Sequence, residues 1–285
     1  MMHSAGLTKN RLLRSLHAEM GRDGMTTDAR YVQIAALSTL LVLEIWAFDL
    51  GATPLQALVT VGTALVVQAA SCRATGTPFD WRSPLVTGLS LSLLLRSADP
   101  LSWVAAAAVG IGSKFLLRIG GKHVFNPACF AIVAMLATGQ VWVSPGLWGN
   151  ATWLALMVAG FGGLVLARSS RLDIALAFLA SYGALLLGRC LWLGDPLTIP
   201  AHQMQSGALL IFSLFMITDP RSTPDSRSGR MVFAFAVAAI GYHLQFRWQV
   251  REGLFYALAA VSLATPLIDR WRPSARFAWS GTREA

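Results

Sequence analysis

The 285-residue chain is 55% hydrophobic and 13% charged, with a mean hydropathy of +0.55. Charged residues make up about a quarter of a soluble domain, so this share excludes a water-facing globule of this size and makes lipid the expected solvent. The formal charge of +9 would suit a nucleic-acid binder, but the basic residues are scattered through short connections, and no nucleic-acid partner is expected.

In chain order, residues 1–30 form a basic arm carrying Lys9, Arg11, Arg14, Arg22 and Arg30. It has no apolar run long enough for a cleavable signal peptide. Leu12–Met20 reads equally as a surface amphipathic helix or as a solvated arm. Ten apolar segments follow: Tyr31–Leu50, Pro54–Cys72, Pro84–Arg96, Leu101–Arg118, Pro127–Val143, Trp148–Ala167, Leu172–Leu193, His202–Thr218, Met231–Phe246 and Gly253–Ile268. Short connections rich in Pro, Gly and Asp separate them. The expected organisation is one membrane domain over 31–270 with a tail at 271–285. Placing the N-terminus inside puts 19 of the 23 Lys and Arg residues on the inner side and four outside. That asymmetry predicts a multi-pass, N-in/C-in protein of the bacterial cytoplasmic membrane.

The third segment spans roughly 20 Å as a helix, short of the ~30 Å hydrocarbon core, and is expected to be a half-helix or a strongly irregular one. The eighth segment resembles it. Thr87-Gly88 leads through a leucine-rich run to Asp99-Pro100, and Ser206-Gly207 leads through a similar run to Asp219-Pro220. These are the third members of two five-segment halves, which an odd number of crossings places in opposite orientations. The expected fold class is all-α, with about ten transmembrane helices in two inverted five-helix repeats and broken helices at their interface. Two leucine-rich helices matching by chance is the alternative. On the repeat reading, Gly88 and Gly207 face the interface between halves, and valine at either should harm function more than folding.

Gly120-Gly121-Lys122-His123-Val124-Phe125-Asn126-Pro127-Ala128 joins segments four and five. Its glycines free the backbone to bend or approach a ligand, while Asn126 followed by Pro127 reads equally as a helix cap. A second stretch runs Phe215-Met216-Ile217-Thr218-Asp219-Pro220, then Ser222-Thr223-Pro224 and Gly229-Arg230. Glu44 lies inside the first segment, where a charge is expensive and defaults to a functional reading; it is the candidate for an ion pathway. Asp49 and Asp173 lie near interfaces and are expected to be solvated; His243 beside Gln245 reads as an interfacial histidine bonded to water, with a proton relay as the alternative. Trp142, Trp148, Trp153 and Trp192 read as interface anchors, or as stacking partners for a ring. Cys72, Cys129 and Cys190 have no metal-type spacing and read as packing residues. No nucleophile–base pair, phosphate loop, dinucleotide fingerprint or metal cluster is present, so no catalytic residue and no metal ligand is assigned.

Taken in order, these stretches resemble the RnfD/NqrB family, the membrane subunits of the Rnf complex and of the sodium-pumping NADH:quinone oxidoreductase. The matching residues are Val86-Thr87-Gly88-Leu89, Gly121 through Ala128, His202 through Ala208, Phe215 to Pro220, Gly229-Arg230 and Thr265-Pro266-Leu267-Ile268-Asp269. The resemblance covers most of 31–270. It implies a ten-helix fold of two inverted halves, coupling flavin and quinone chemistry to ion movement alongside other membrane or electron-transfer subunits. It places a cofactor near Thr87, Gly88, Gly120, Gly121, Asn126, Ser206, Gly207, Thr218 and Asp219.

The chain departs from the family where members with covalent FMN carry a Ser-x-Ala-Thr-type motif between the fifth and sixth helices. Here that connection is Ser144-Pro145-Gly146-Leu147, and Ser206-Gly207-Ala208-Leu209 belongs to a different position and ends in leucine. Covalent FMN is therefore not expected, while a non-covalent flavin (FMN or riboflavin) or a quinone stays open. Two other readings also stay open. One is a small-solute transporter without redox chemistry; the other is a pathway-specific accessory protein like the short, loop-deleted UnbU proteins of enediyne biosynthesis.

Overall fold

The computed structural model describes residues 28–48, 51–145, 159–160, 162–164, 171–275 and 277. Most of the basic arm and of the sixth segment, with Asp49, Trp148 and Trp153, lies outside the described residues. Helix α1 (Ala29–Leu43) runs on as one π-helical turn, Glu44–Phe48. α2 (Pro54–Thr75) is capped by the Thr53 hydroxyl, opens on Pro54 and closes on Gly76 at φ 68°. α6 (Leu172–Leu193) matches the expected seventh segment and also closes on a left-handed glycine, Gly194. Ala29–Phe48, α2 and α6 are each long and apolar enough to cross a bilayer. Leu55, Leu58 and Val66 on α2, and Leu176, Leu187 and Leu191 on α6, are all exposed. In water such faces would be an aggregation hazard; in lipid they are ordinary solvent-facing surface. The chain is a mostly helical membrane protein.

The remaining apolar segments are shorter or broken. α3 (Arg82–Leu94) is short, as the third segment predicted, and gives way to an unforeseen extended β1 (Leu95–Ser97). α4 (Pro100–Leu116) is capped by Asp99. A two-residue hairpin of β2 (Arg118–Ile119) and β3 (Lys122–His123) follows, turning through Gly120 and Gly121 at φ 60° and 84°. Only glycine adopts both without strain. The fifth segment was expected as one continuous span, but α5 (Pro127–Leu136) is ten residues long. It stops before Gly139, at φ 70°, and the chain continues extended as β4 (Val141–Val143). In the second half, α7 (Thr198–Met204) breaks before α8 (Gly207–Ile211), which continues as a π turn, Phe212–Met216. α9 (Arg227–Arg247) is a full-length helix. The expected tenth span is divided into α10 (Gly253–Ser262) and α11 (Thr265–Trp271), because Pro266 has no N–H for the preceding turn.

A helix that stops inside an apolar layer leaves its last carbonyls needing partners, since lipid supplies none. Every such carbonyl of α3 is met. Arg96 donates to Ser92 O at 2.8 Å and Leu93 O at 3.1 Å, the Ser144 N–H to Leu94 O at 2.8 Å, and the Gln56 amide to Leu95 O at 2.6 Å. β1 and β4 pair antiparallel, Leu95 with Val143 and Ser97 with Val141. At the other end of α3, Arg30 and Arg82 each bind both Asp28 and Asp80, tying the start of α1 to the start of α3. Burial alone would raise the Asp80 carboxyl; the Arg82 and Arg30 guanidiniums outweigh it and hold that carboxyl below its ordinary value.

One packing pattern occurs twice along the chain. α2 packs on α4 and α4 on α5; correspondingly, α6 packs on α9 and α9 on α10. The second contact uses one device twice. Gly110 lies six residues before the end of α4, and a Cβ there would meet Pro127 O at 2.9 Å; Gly241 lies six before the end of α9, and a Cβ there would meet the Leu254 side chain at 2.5 Å. Valine at Gly110 or Gly241 should therefore cost about 1–3 kcal/mol by prising each helix from its successor. Gly112→Ala, which meets nothing within 4 Å, should be neutral or slightly stabilising. Thermal melting in detergent checks this; a Gly110→Val protein melting with the parent would refute the close-packing argument.

Candidate functional site: a polar cluster at the hairpin end

The β2–β3 hairpin presses Lys122 and His123 against the loop that follows α8. The Lys122 ammonium donates to Asp225 Oδ1 at 2.9 Å, Asp269 Oδ2 at 3.0 Å and Thr223 O at 3.1 Å. His123 Nε2 lies 3.1 Å from Asp219 Oδ2. Asp219 also accepts from the Arg221 backbone N–H and the Ser222 hydroxyl, both at 3.1 Å. Burial alone would push its carboxyl up, but His123 beside it and these donors hold it below its ordinary value. The Asp269 Oδ1 accepts the Asp225 N–H at 2.8 Å, and Thr265 donates to Ser222 O at 3.1 Å. Hairpin, loop and α11 thus form one network.

Two further arginines brace it. Arg230 on α9 forms a forked pair with Asp173 at the start of α6 and donates to Asp225 O at 2.7 Å. Asp173 is therefore ion-paired, not merely solvated as the sequence suggested. Arg171 is 3% exposed and donates to Pro224 O at 3.0 Å. Alongside the network lies an open pocket of about 330 Å³, lined among others by Gly120, His123, Arg221, Thr265, Pro266 and Arg270.

A second polar feature lies within the apolar layer. Glu44, in the π turn after α1, pairs with Arg96 of β1; they are 5% and 4% exposed. The carboxylate expected on an ion pathway is thus neutralised by a neighbour that also caps α3.

Five of the nine residues assigned to a cofactor gather at the hairpin end: Gly120, Gly121, Asn126, Thr218 and Asp219. Asn126 caps α5 through Cys129 N–H at 3.0 Å, and its amide donates to Met216 O at 3.4 Å, joining the start of α5 to the end of α8. The Thr218 hydroxyl is spent on Leu214 O. The other four lie elsewhere. Thr87 bonds back to Ser83 O. Gly88 meets Val61 of α2, where a Cβ would come within 2.9 Å of its Cα. Its close neighbour is in its own half, so valine there should disturb packing first, contrary to the expectation from the repeat. Ser206 caps α8 and donates to Pro145 O at 3.1 Å, beside the buried Gly207. His243 is exposed, next to the Trp248 ring, and all three cysteines are buried and free. Among the described residues no group of His, Cys, Asp or Glu is arranged to hold a metal. Sequence reasoning quoted Lys122, His123 and Asp269 within its motifs without assigning them a role. A lone lysine beside two glycines, in a chain with so few acids, was the available signal.

Residues 142–278 match the model of the NQR2, RnfD, RnfE family. The chain is 28% identical over 290 residues to the D subunit of the ion-translocating oxidoreductase complex of Stutzerimonas stutzeri, an alignment covering 75% of this chain and 81% of that one. To the D subunit of the Na(+)-translocating ferredoxin:NAD(+) oxidoreductase complex of Acetobacterium woodii it is 27% identical over 284 residues, covering 84% and 86%. By this match over its C-terminal part and these alignments along most of its length, the chain is similar to the NQR2, RnfD, RnfE family. The family match takes in β4 through α11, and the Acetobacterium relative extends the likeness across both halves. Of the stretches that carried the resemblance, 120–128, 215–220, 229–230 and 265–269 meet at the hairpin end, whereas 86–89 and 202–208 lie elsewhere.

Proposed function

We propose that this chain is a membrane subunit of an ion-translocating electron-transport system of the Rnf type, working with other membrane or electron-transfer subunits in a bacterial cytoplasmic membrane. The reading takes residues 31–270 as one ten-span domain of two inverted halves, N-in and C-in, with the hairpin end on the cytoplasmic side. Relatives named as complex subunits support it, as do the charge asymmetry and the repeated α4–α5 and α9–α10 packing. The observation that carries it is the convergence of four separated motifs on one polar network beside a pocket.

A covalent FMN does not fit the described residues, because Ser144-Pro145 and Ser206–Leu209 contain no threonine. A non-covalent flavin or quinone head fits the hairpin-end pocket. Its volume is near the lower end of the roughly 300–1,000 Å³ of small-molecule sites, Gly120 leaves one wall without a side chain, and the lining mixes apolar Ile119, Val124 and Pro266 with hydrogen-bonding His123, Thr265 and Arg270. Bound there, either ring would supply the electron-carrying chemistry. The chain would hold its polar edge and keep the surrounding charges balanced.

Absorption spectra of the detergent-purified protein, and fluorescence titration with a short-chain quinone, test the reading. Flavin bands or saturable quinone binding are expected, and Gly121→Val should abolish them, since valine at φ 84° strains the turn by about 1–3 kcal/mol. A protein with neither flavin nor quinone affinity would overturn the cofactor proposal. Solute uptake by proteoliposomes of the chain alone would favour a transporter instead.

A further inference from the structure

α6 and α9 run parallel. Asp173 and Arg230 pair at their first turns, and Tyr182 donates to Gln245 at 2.6 Å further along. Between their C-terminal ends lies an open groove of about 690 Å³. Its apolar lining includes Leu185 and Gly188, its aromatic lining Trp192 and Tyr242, and its charged lining Arg189 and Arg247. We propose that this groove seats an anionic phospholipid of the surrounding bilayer, its phosphodiester held by the two guanidinium groups and an acyl chain lying along Leu185 and Gly188.

Charge complementarity is the main argument. On the proposed topology, the cations among the described residues on the side away from the hairpin are Arg96, Arg189, Arg247 and Arg251. Arg96 is buried with Glu44. Two of the remaining three line this one groove, and among the described residues Arg247 has no ion pair. Arg189 is held over the Phe246 ring at 4.8 Å, with Asp195 at 3.6 Å its only carboxylate neighbour among the described residues. Two helix C-termini nearby carry partial negative charge, which two full positive charges outweigh.

The depth and shape fit a lipid better than a soluble anion. Trp192 is 88% exposed, as a ring in the headgroup belt should be, and a Cβ built on Gly188 meets nothing within 4 Å, leaving space along the helix for a chain. Phosphate oxygens match guanidinium forks, which two arginines facing one groove supply.

This inference rests on the chain spanning a membrane and not on its redox chemistry. Native mass spectrometry of protein released from nanodiscs of mixed phosphatidylcholine and phosphatidylglycerol tests it. The parent should retain phosphatidylglycerol preferentially, and Arg189→Gln with Arg247→Gln should cut that retention about tenfold or more. Gly188→Leu keeps both charges and fills open space, so it should fold normally and also lose the lipid. Equal retention of the two lipids by the parent would overturn the proposal. So would unchanged retention in either variant, or displacement of the lipid by millimolar inorganic phosphate. Flavin and quinone measurements on the same samples separate this result from the fate of the electron-transport reading.

Discussion

Arg96→Met should lower the unfolding free energy by about 3–5 kcal/mol, a fall of roughly 10 °C in detergent melting temperature for a chain of this size. Methionine matches the arginine stem in volume, so the loss is electrical. It strands the Glu44 carboxylate at 5% exposure and removes the donors to Ser92 O and Leu93 O. In lipid neither deficit is repaired by water. Glu44→Gln should cost much less, about 1 kcal/mol, because the amide oxygen still accepts from Arg96 and the guanidinium keeps the carbonyls of Ser92, Leu93 and Leu95. The expected order, Arg96→Met well below Glu44→Gln below parent, separates a pair that holds the half-helix from one that merely cancels charge. Equal losses would show that the carbonyl contacts of Arg96 contribute nothing.

The same pair changes what Glu44 can do. An intramembrane carboxylate invites the reading of an ion pathway, and that reading came from the residue's depth alone. The structure adds a competitor: any cation using Glu44 must first displace the Arg96 guanidinium. The π turn that carries Glu44 widens the helix at this point, a feature concentrated at functional positions. Arg96 was counted in the sequence as an outer-loop charge, because nothing local distinguishes an arginine that returns to cap its own helix from one that points to water.

What the sequence made legible follows from how far each signal reaches. α6 was found to the residue, because a predominantly apolar run between Arg171 and Gly194 decides its own ends. The shortness of α3 was visible from Pro84 and Arg96. That the following residues form a strand was not, because β1 pairs with β4 nearly fifty residues later. The break after α5 had a local sign in Thr138-Gly139, overridden by the apolar count of Pro127–Val143. The candidate site divides the same way. Gly120, Gly121 and Asp219 carry backbone or family signals and were named. The ion pairs that join them, Lys122 to Asp225 and Asp269, span 103 and 147 residues, and no single-segment pattern encodes such a match.

Those pairs give the second large effect. Lys122→Met should destabilise the protein by about 3 kcal/mol and remove flavin or quinone binding at the hairpin-end pocket. All three ammonium donors are in use, on the loop at Thr223 and Asp225 and on α11 at Asp269. Without them two carboxylates, with side chains 6% and 20% exposed, face each other with no cation between them. Lys122→Arg should rescue charge but not binding, because a planar fork cannot meet three acceptors grouped around one point. Acid should act on the same network through Asp219. A carboxyl held below its ordinary value of 3.8 contributes stability that is complete above about pH 4 and fades as pH falls through the folded value. Asp219→Asn should therefore melt lower at neutral pH and lose part of the parent's decline below about pH 4. Melting curves across that range, on parent, Lys122→Met and Asp219→Asn, decide it: a parent and an Asp219→Asn variant with parallel acid profiles would remove Asp219 from the network's electrostatics and leave Lys122 to hold it alone.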